Sequence, residues 1–350
     1  MHQSSMIKVS LAAALVLSIG LVSTAGMTAA AETTSPAPSA SPLRVVDRVE
    51  AAIPVPGSPD WPTPAFGSLW VLAPDLPIRP GGGTPNLVRI DPTTNAITAT
   101  IELPDRLCQG LVASDDAIWV CAADALLRID PDTDSIAASV PIKGAPAFYR
   151  MAYGGGMVWA LGSGAFAADT VIRLDPTTQV TTSHPAGGSV GGLTYAFDAL
   201  WLTIPGNGSV VRMDPATGET RELISGLPAP TQITAGPDSL WVTLYGGDEE
   251  QAGAGDPQVV RLDPETGEVI AEIAVGGSPR GGVDVLAGED GVWVRSTRPW
   301  LTRIDPATNT VIEALASEPE IHAIQGPLAE AFGSIWTVNI EEDTVYRLEP

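Results

Sequence analysis

Residues 259–273 read VVRLDPETGEVIAEI, and this stretch decides the fold because its central motif recurs along the chain. The motif, Arg-x-Asp-Pro or once Arg-x-Glu-Pro, begins at seven arginines: Arg89, Arg128, Arg173, Arg212, Arg261, Arg303 and Arg347. A tryptophan precedes each copy: Trp70, Trp119, Trp159, Trp201, Trp241, Trp293 and Trp336. Self-similarity at a period of about 40–50 residues indicates a repeat architecture.

Each repeat contains four segments that are typical of short strands. In the fifth repeat these are residues 232–236, 239–244, 258–264 and 268–275, which are rich in apolar and β-branched side chains and bounded by Gly, Pro or Asp. Four strands at this period are typical of one propeller blade. We therefore predict an all-β fold, a seven-bladed β-propeller of four-stranded antiparallel blades, over residues 43–350.

The charged motif itself has a structural interpretation. Arg261 and Asp263 are two positions apart on a strand, so they share a face and can pair. Asp263 also begins a turn, where its carboxylate can accept backbone N–H groups, and Gly267 supplies a left-handed conformation. Seven near-identical copies are not expected of a catalytic carboxylate. We predict that the motif is scaffolding and that the repeat tryptophans fill the space between blades.

The seventh motif ends the chain at Pro350, after the third strand of its repeat. Residues 45–56 resemble the fourth-strand segment that begins at Glu268, because both run into Gly-Ser-Pro. We predict that this N-terminal segment is the outermost strand of the last blade. Such closure removes the exposed edges that an open sheet would leave.

The N-terminal residues have the composition of an export signal. Lys8 precedes an apolar run over residues 9–22, and small residues follow up to Ala31. This pattern predicts a signal peptide over residues 1–31, followed by a flexible Pro/Ser/Ala/Thr-rich linker over residues 32–42. An uncleaved anchor remains an alternative, although the run is shorter than the roughly 20 residues of a stable membrane span. We expect a secreted, extracellular or cell-envelope protein.

Net charge limits the classes of binding partner, and the positions of the two cysteines predict a disulfide. The formal net charge of −23 argues against nucleic acid or anionic lipid as partners, and we expect a monomer. Cys108 and Cys121 flank a predicted hairpin turn at nearly equal distances, so they should be cross-strand neighbours. In an oxidising compartment they are predicted to form a disulfide, with a catalytic thiol as the alternative.

Loop length predicts which face carries function. The interval from the repeat tryptophan to the next motif arginine is 9–11 residues in four repeats, but 19, 14 and 20 in the first, third and fifth. Irregular insertions on one face of a repeat array mark a binding face. The blade-to-blade crossings on this face supply the candidate ligand-binding residues: Trp61, Gln109, Tyr149, Arg150, Gln232, Arg280, His322 and Gln325. They could orient a polar or anionic small molecule, or they could simply be solvated.

No cofactor is predicted, and metal candidates are few. An acidic run in the fifth repeat could hold Ca²⁺ through carboxylate oxygens, or it could be a solvated acidic loop: Asp248, Glu249, Glu250 and Asp256. The chain lacks a Gly-rich phosphate loop after a strand, a Cys/His cluster with metal spacing and a nucleophile elbow.

The segments FGSLWV, SVVRMDPATGE and EVIAEIAVGGSP resemble bacterial YVTN-type seven-bladed propeller proteins and the broader group that includes streptogramin (virginiamycin B) lyases. The resemblance implies a propeller over residues 48–350. For the lyases it implies Mg²⁺-assisted elimination that opens a cyclic depsipeptide ester, with histidine and glutamate on the channel face.

We expect a non-enzymatic module that binds an extracellular small molecule, peptide or protein, such as a cell-surface component, on its long-loop face. The alternative is a lyase or hydrolase assisted by a divalent cation such as Mg²⁺. In that alternative His322 and Glu320 are the candidate acid and base.

Overall fold

A computed structural model divides the chain into two compact units, Met1–Ser41 and Pro42–Pro350. The structure describes residues 44–74, 84–104, 107–122, 124–142, 150–164, 167–245, 258–275, 284–296, 300–316 and 326–350. The predicted signal peptide (1–31) and linker (32–42) lie outside these residues. Within the described ranges, no helix has the length and apolar character needed to cross a membrane.

The second unit is a seven-bladed β-propeller in which every blade is a four-stranded antiparallel sheet. Blade 1 contains β2 (Asp60–Ala65), β3 (Ser68–Ala73), β4 (Asn86–Asp91) and β5 (Ala96–Glu102). Blade 2 contains β6 (Leu107–Ala113), β7 (Ile118–Ala122), β8 (Ala125–Asp130) and β9 (Ser135–Pro141). Blade 3 contains β10 (Ala152–Gly154), β11 (Met157–Gly164), β12 (Ala167–Leu174) and β13 (Thr181–Pro185).

The remaining blades repeat this order. Blade 4 contains β14 (Gly192–Ala196), β15 (Ala199–Ile204), β16 (Ser209–Met213) and β17 (Thr220–Ile224). Blade 5 contains β18 (Pro230–Ala235), β19 (Leu240–Leu244), β20 (Gln258–Leu262) and β21 (Val269–Ala274). Blade 6 contains β22 (Asp284–Ala287), β23 (Val292–Arg295), β24 (Leu301–Asp305) and β25 (Thr310–Leu315). Blade 7 contains β26 (Ala329–Ala331), β27 (Ser334–Asn339), β28 (Thr344–Leu348) and β1 (Val49–Pro54).

The first strands of neighbouring blades contact one another, as β2 does β6 and β14 does β18, so these strands line the central axis. Two short 3₁₀ helices, Val45–Arg48 and Pro205–Asn207, complete the described secondary structure.

The ring closes as predicted. β1 pairs antiparallel with β28, and the register places Ala52 opposite Tyr346 and Ile53 opposite Val345. The strand is shorter than the predicted segment 45–56, because residues 45–48 form the 3₁₀ helix that precedes it. The N-terminal strand therefore supplies the outer edge of the blade that contains the C-terminus.

The repeat tryptophans pack between blades, as the sequence predicts. All seven have at most 1% of their surface exposed. Trp336 of blade 7, for example, packs against Leu69 and Val71 of blade 1. Its indole Nε1 donates to the carbonyl of Ala331, five residues earlier, so the buried donor is satisfied. The Nε1 donors of Trp70, Trp119, Trp159 and Trp201 are also bonded five residues back, whereas Trp293 Nε1 has no partner in the described structure.

Three of the motif arginines, Arg89, Arg261 and Arg347, bridge neighbouring blades, and the pairing expected within the motif is not found in the described structure. Arg261 does not pair with Asp263: its guanidinium lies 5.0 Å from the centre of the Trp241 ring and donates to the Asp238 carboxylate at 2.9 Å. It also donates to the Pro306 carbonyl of blade 6 at 2.6 Å. The arginine side chain is long enough to reach the next blade, so it anchors that blade's turn instead.

Asp263 performs the turn role that the sequence predicts. Its Oδ1 accepts the backbone N–H groups of Thr266 and Glu265 at 2.8 and 2.9 Å. These bonds favour the carboxylate and lower the pKa of Asp263. Gly267 has a φ of +75°, the left-handed conformation expected there.

The two cysteines lie on the paired strands β6 and β7. Leu107 pairs with Ala122 and Leu111 with Val120, and the register shifts between them, in the part of β6 that contains Cys108. Cys121 is buried, and none of the described cysteines is free. The Cys108 side chain lies outside the described residues, so the disulfide stays a prediction.

Candidate functional site

One end of the central channel carries a cluster of buried charged residues. Asp60 and Asp284 begin the first strands β2 and β22, and Arg150 lies two residues before the first strand β10. The second strands end at the same level, at Arg295 in blade 6 and Asn339 in blade 7. The connections to the third strands leave from this end, so it is the face to which the sequence assigns the long loops.

Strand register places the two acids in one layer of the ring. Asp60 is paired with Leu72, and Asp284 is paired with Arg295. Both partners lie two residues after the repeat tryptophan of their blade. The carboxyls of blades 1 and 6 therefore occupy equivalent positions, and each residue is only 6% exposed.

An ion pair crosses the channel. The Arg150 guanidinium of blade 3 pairs with Oδ1 of Asp284 in blade 6. The backbone N–H of Leu328 donates to the other oxygen of Asp284 at 2.7 Å. The Arg150 guanidinium also lies 5.3 Å from the centre of the Trp61 ring, which belongs to blade 1. One arginine thus connects three blades.

Trp61 is held in an uncommon backbone conformation. Its φ is +51°, and the register of β2 against β3 shifts between Asp60 and Thr63. A bulge of this kind redirects a side chain, and positive φ is rare for a bulky residue. The irregularity turns Trp61 toward Arg150, with its backbone N–H donating to Asp60 at 2.9 Å.

A second arginine completes the cluster. Arg295 is 2% exposed, and its guanidinium lies 5.3 Å from the centre of the Trp300 ring. It also donates to the carbonyl of Gly326. Both Arg295 and Arg150 interact electrostatically with the Asp60 carboxyl. We call Asp60, Trp61, Arg150, Asp284, Arg295 and Trp300 the channel-mouth cluster.

Burial sets the charge state of this cluster. Loss of solvation raises the pKa of Asp60 to about 7, although the Trp61 N–H and the two guanidiniums favour its ionised form. The same loss of solvation lowers the pKa values of Arg150 and Arg295 to about 10, so both remain charged at neutral pH. Asp60 therefore exchanges its proton near pH 7.

Several buried polar atoms at this end lack a hydrogen-bond partner in the described structure: Trp61 Nε1, Trp300 Nε1, Arg150 Nε, Asn339 Nδ2, Gln232 Oε1 and Asp284 Oδ1. Four of these six are donors, and Asp284 Oδ1 is the oxygen in the ion pair with Arg150. A buried polar group without a partner costs about 1–3 kcal/mol, and such groups are uncommon in folded proteins. Unpartnered polar atoms beside a buried ion pair are expected of a binding site, where a ligand or ordered water supplies the missing hydrogen bonds.

The structure brings together two of the predicted binding residues, Trp61 and Arg150. Gln232 lies near the start of β18, at the same end of the channel, in blade 5. Gln109 lies on β6, but its side chain is outside the described residues. The other predicted residues also lie outside: Tyr149, Arg280, His322, Gln325 and Glu320, together with the metal candidates Asp248, Glu249, Glu250 and Asp256. The part of the chain that is described contains no group of three or more His, Cys, Asp or Glu side chains suited to a metal.

Sequence reasoning missed Asp60, Asp284, Arg295 and Trp300. A signal was present for two of them. Asp284 and Arg295 each interrupt an otherwise apolar strand, within VDVLA and VWVRS. A charged residue at a position that should be buried indicates a polar partner elsewhere in the fold.

No protein-family model matches this chain, and no curated protein does either. Solved structures with similar folds include hydrazine synthase of Kuenenia stuttgartiensis, at 12% identity and a TM-score of 0.65, covering 84% of this chain and 96% of that one. The WD40 domain of Neurospora crassa Pan2 matches at 11% identity and a TM-score of 0.63, with coverages of 85% and 90%. The computationally designed Ika8 protein matches at 11% identity and 0.59, with coverages of 85% and 99%. Likeness at this identity concerns the propeller fold alone.

Proposed function

We propose that this protein is an exported binding module that holds an extracellular small molecule or peptide at the channel-mouth cluster. The single observation that carries the proposal is the group of unpartnered buried polar atoms beside the Arg150–Asp284 ion pair. The predicted signal peptide supports export. A propeller suits such a role, because its loops surround one axial opening.

A purely structural role for the cluster explains fewer of these observations than ligand binding does. An ion pair between blades 3 and 6 could exist only to hold the ring together. That role does not require a tryptophan in a left-handed conformation, or an indole N–H left unpartnered at Trp61. Strained backbone of this kind concentrates at ligand sites, where the surrounding structure maintains it. Ligand binding explains both the strain and the unpartnered donors.

The cluster also has the composition of a small-molecule site. Two aromatic rings, Trp61 and Trp300, supply apolar surface, and each has a guanidinium over it. A few polar groups set among aromatic side chains fix the orientation of a ligand. The arrangement holds its charged groups in place before a ligand arrives, which reduces the entropy lost on binding.

Native mass spectrometry of the full chain after exposure to culture medium of the source organism tests the proposal. The wild-type protein is expected to retain a low-mass adduct. Trp61→Phe keeps an aromatic ring but removes the Nε1 donor, so it should lose at least about tenfold in occupancy, as expected when one buried hydrogen bond is lost. Trp201→Phe is the matched control, since Trp201 Nε1 donates to the Ala196 carbonyl within blade 4 and is not left for a ligand. Equal adducts on all three proteins, or none on the wild type, would contradict the proposal.

A further inference from the structure

Among the unpartnered polar atoms in and beside the channel-mouth cluster, hydrogen-bond donors outnumber acceptors. Trp61 Nε1, Trp300 Nε1 and Arg150 Nε can only donate hydrogen bonds, and Asn339 Nδ2 adds another donor. Two oxygens are the acceptors without a hydrogen bond here, Gln232 Oε1 and Asp284 Oδ1, and the second is in the ion pair with Arg150. A ligand that satisfies this set must bring mainly acceptor atoms. Carboxylate and phosphate oxygens are such acceptors, and they form the stronger, charge-assisted hydrogen bonds with arginine.

Charge counting indicates the same class of ligand. Arg150 and Arg295 contribute two positive charges, and Asp284 contributes one negative charge through its pairing with Arg150. When Asp60 carries its proton the cluster has a net charge of +1. One bound anion then neutralises it, whereas a cation would increase the excess. The strongly acidic surface of the rest of the protein does not change this local balance, because exposed charges are screened within roughly 10 Å.

We propose, resting on the proposed function, that the channel-mouth cluster binds an oxyanion group of its ligand and that Asp60 takes up a proton when the anion binds. The anion and the ionised Asp60 carboxylate would both be stabilised by the positive charge of Arg150 and Arg295, so protonation of Asp60 leaves more of that charge to the anion. Binding of the anion and protonation of Asp60 therefore favour each other, as linkage requires.

Among the described residues, Arg150 and Arg295 are the charged groups that act on Asp60, and the Trp61 N–H is its hydrogen-bond donor. Of the strands packed against β2, three contain no Asp, Glu, Lys, Arg or His: β3, β6 and β27. β26 contributes Glu330, which accepts the Glu289 N–H in the hairpin turns at the opposite end of the strand. Because burial places the pKa of Asp60 at about 7, its protonation is sensitive to pH in the neutral range.

The test is a titration of the ¹⁵N-labelled full chain with acetate, with inorganic phosphate and with acetamide, followed by the indole N–H signals. Trp61→Phe and Trp300→Phe assign two of the signals. Acetamide matches acetate in shape but has no charge, so it is the control ligand. We expect acetate or phosphate, but not acetamide, to shift the Trp61 and Trp300 signals with saturation. The difference between acetate and phosphate then separates a carboxylate ligand from a phosphorylated one.

The pH dependence provides the second readout. If only the protonated form binds, affinity should fall about tenfold from pH 6 to pH 8, since the bound fraction follows the protonated fraction of a group with a pKa near 7. Asp60→Asn removes the competing charge and should bind at pH 8 as tightly as the wild type does at pH 6, with no dependence on pH. Retention of the wild-type dependence in Asp60→Asn would overturn the assignment of the proton to Asp60.

Failure of this inference can be distinguished from failure of the proposed function. Equal shifts with acetate and acetamide, or no shift with any anion, would overturn the oxyanion inference in the wild-type protein, whatever the folding of Asp60→Asn. The proposed function would still stand if the native adduct from culture medium depended on Trp61. Loss of both results would overturn both.

Discussion

Arg150 of blade 3 and Asp284 of blade 6 form an ion pair across the channel of the propeller. The two residues are far apart in sequence and in nearly opposite blades of the ring. The pair fixes the distance between those blades and places a guanidinium over the Trp61 ring. The same contact thus stabilises the ring of blades and belongs to the candidate site.

Removing one partner of this pair should destabilise the protein strongly. Arg150→Met leaves the Asp284 carboxylate buried without its counter-charge, which costs about 3–5 kcal/mol in comparable sites. Asp284→Asn should be similarly costly. The double variant should cost less than the sum of the two, because neither charge is then left alone. Urea unfolding of the four proteins measures the coupling energy.

The matched control is the pair Arg128–Asp116, whose N···O distance is 2.9 Å and whose aspartate side chain is 67% exposed. Solvent screening should limit its coupling to less than about 1 kcal/mol. Additive effects at Arg150 and Asp284, or equal coupling at the two pairs, would contradict the buried cross-channel ion pair.

Asp60→Asn should change how stability depends on pH. The folded-state pKa of Asp60 is raised to about 7, above the ordinary value of 3.8, so the folded state holds the proton more tightly than the unfolded state. The stability contributed by the protonated acid is complete below about pH 4 and is lost as pH rises toward 7. The wild type should therefore lose up to about 4 kcal/mol relative to Asp60→Asn between pH 4 and pH 8.

Urea unfolding of the two proteins across this pH range measures the change. A difference between wild type and Asp60→Asn that stays constant with pH would show that Asp60 titrates normally. A wild type that gains stability relative to the variant as pH rises would reverse the predicted sign. Either result would contradict the raised pKa of Asp60 in the folded protein.

Arg347→Ala should weaken ring closure. Arg347 donates to the Pro92 carbonyl at 2.6 Å and to the Asn95 side chain at 3.3 Å, which joins blade 7 to blade 1. Arg128 occupies the same motif position, but its side chain bonds within its own blade, to Asp116. We expect a loss of about 2–3 kcal/mol for Arg347→Ala, from hydrogen bonds to a charged donor, and less than about 1 kcal/mol for Arg128→Ala. Equal losses in chemical unfolding would argue that the inter-blade bonds contribute nothing.

Two substitutions at equivalent positions of the motif turn, Gly267→Ala and Asn309→Gly, should differ in how much they destabilise the protein. At Gly267 the φ is +75°, and an added Cβ would lie 2.5 Å from the Leu223 carbonyl oxygen. Gly267→Ala should therefore cost more than about 2 kcal/mol through strain and overlap. Asn309→Gly at the equivalent turn removes a 2.9 Å bond from Arg261 and should cost about 1 kcal/mol. The reverse order of melting temperatures would contradict this reading of the turns.

The fold could be predicted from sequence because its determinants are local and repeated. Trp241 and Asp263 each act within one blade or its nearest neighbour, so the sequence repeats the tryptophan seven times and the aspartate six times. Ring closure was also visible, since residues 45–56 copy a fourth strand. The pairing of Arg261 was not, because its partners at Pro306 and Asn309 become neighbours only when the next blade is placed.

The site was only partly predictable for the same reason. Trp61 and Arg150 lie in or next to the connections between blades, on the face that the variation in loop length indicates. Asp60, Asp284 and Arg295 belong to no repeated pattern, and their importance depends on contacts across the channel between distant blades. The raised pKa of Asp60 follows from burial that no sequence motif encodes.

The most direct test of the central claim is a crystal structure of the full chain after soaking in concentrated culture extract of the source organism. The account predicts added density in the channel mouth, in contact with the Trp61 ring and the Arg150 guanidinium. Density that occupies the hairpin-turn face instead, around Phe332 and Glu330, with the channel-mouth cluster unchanged, would contradict it.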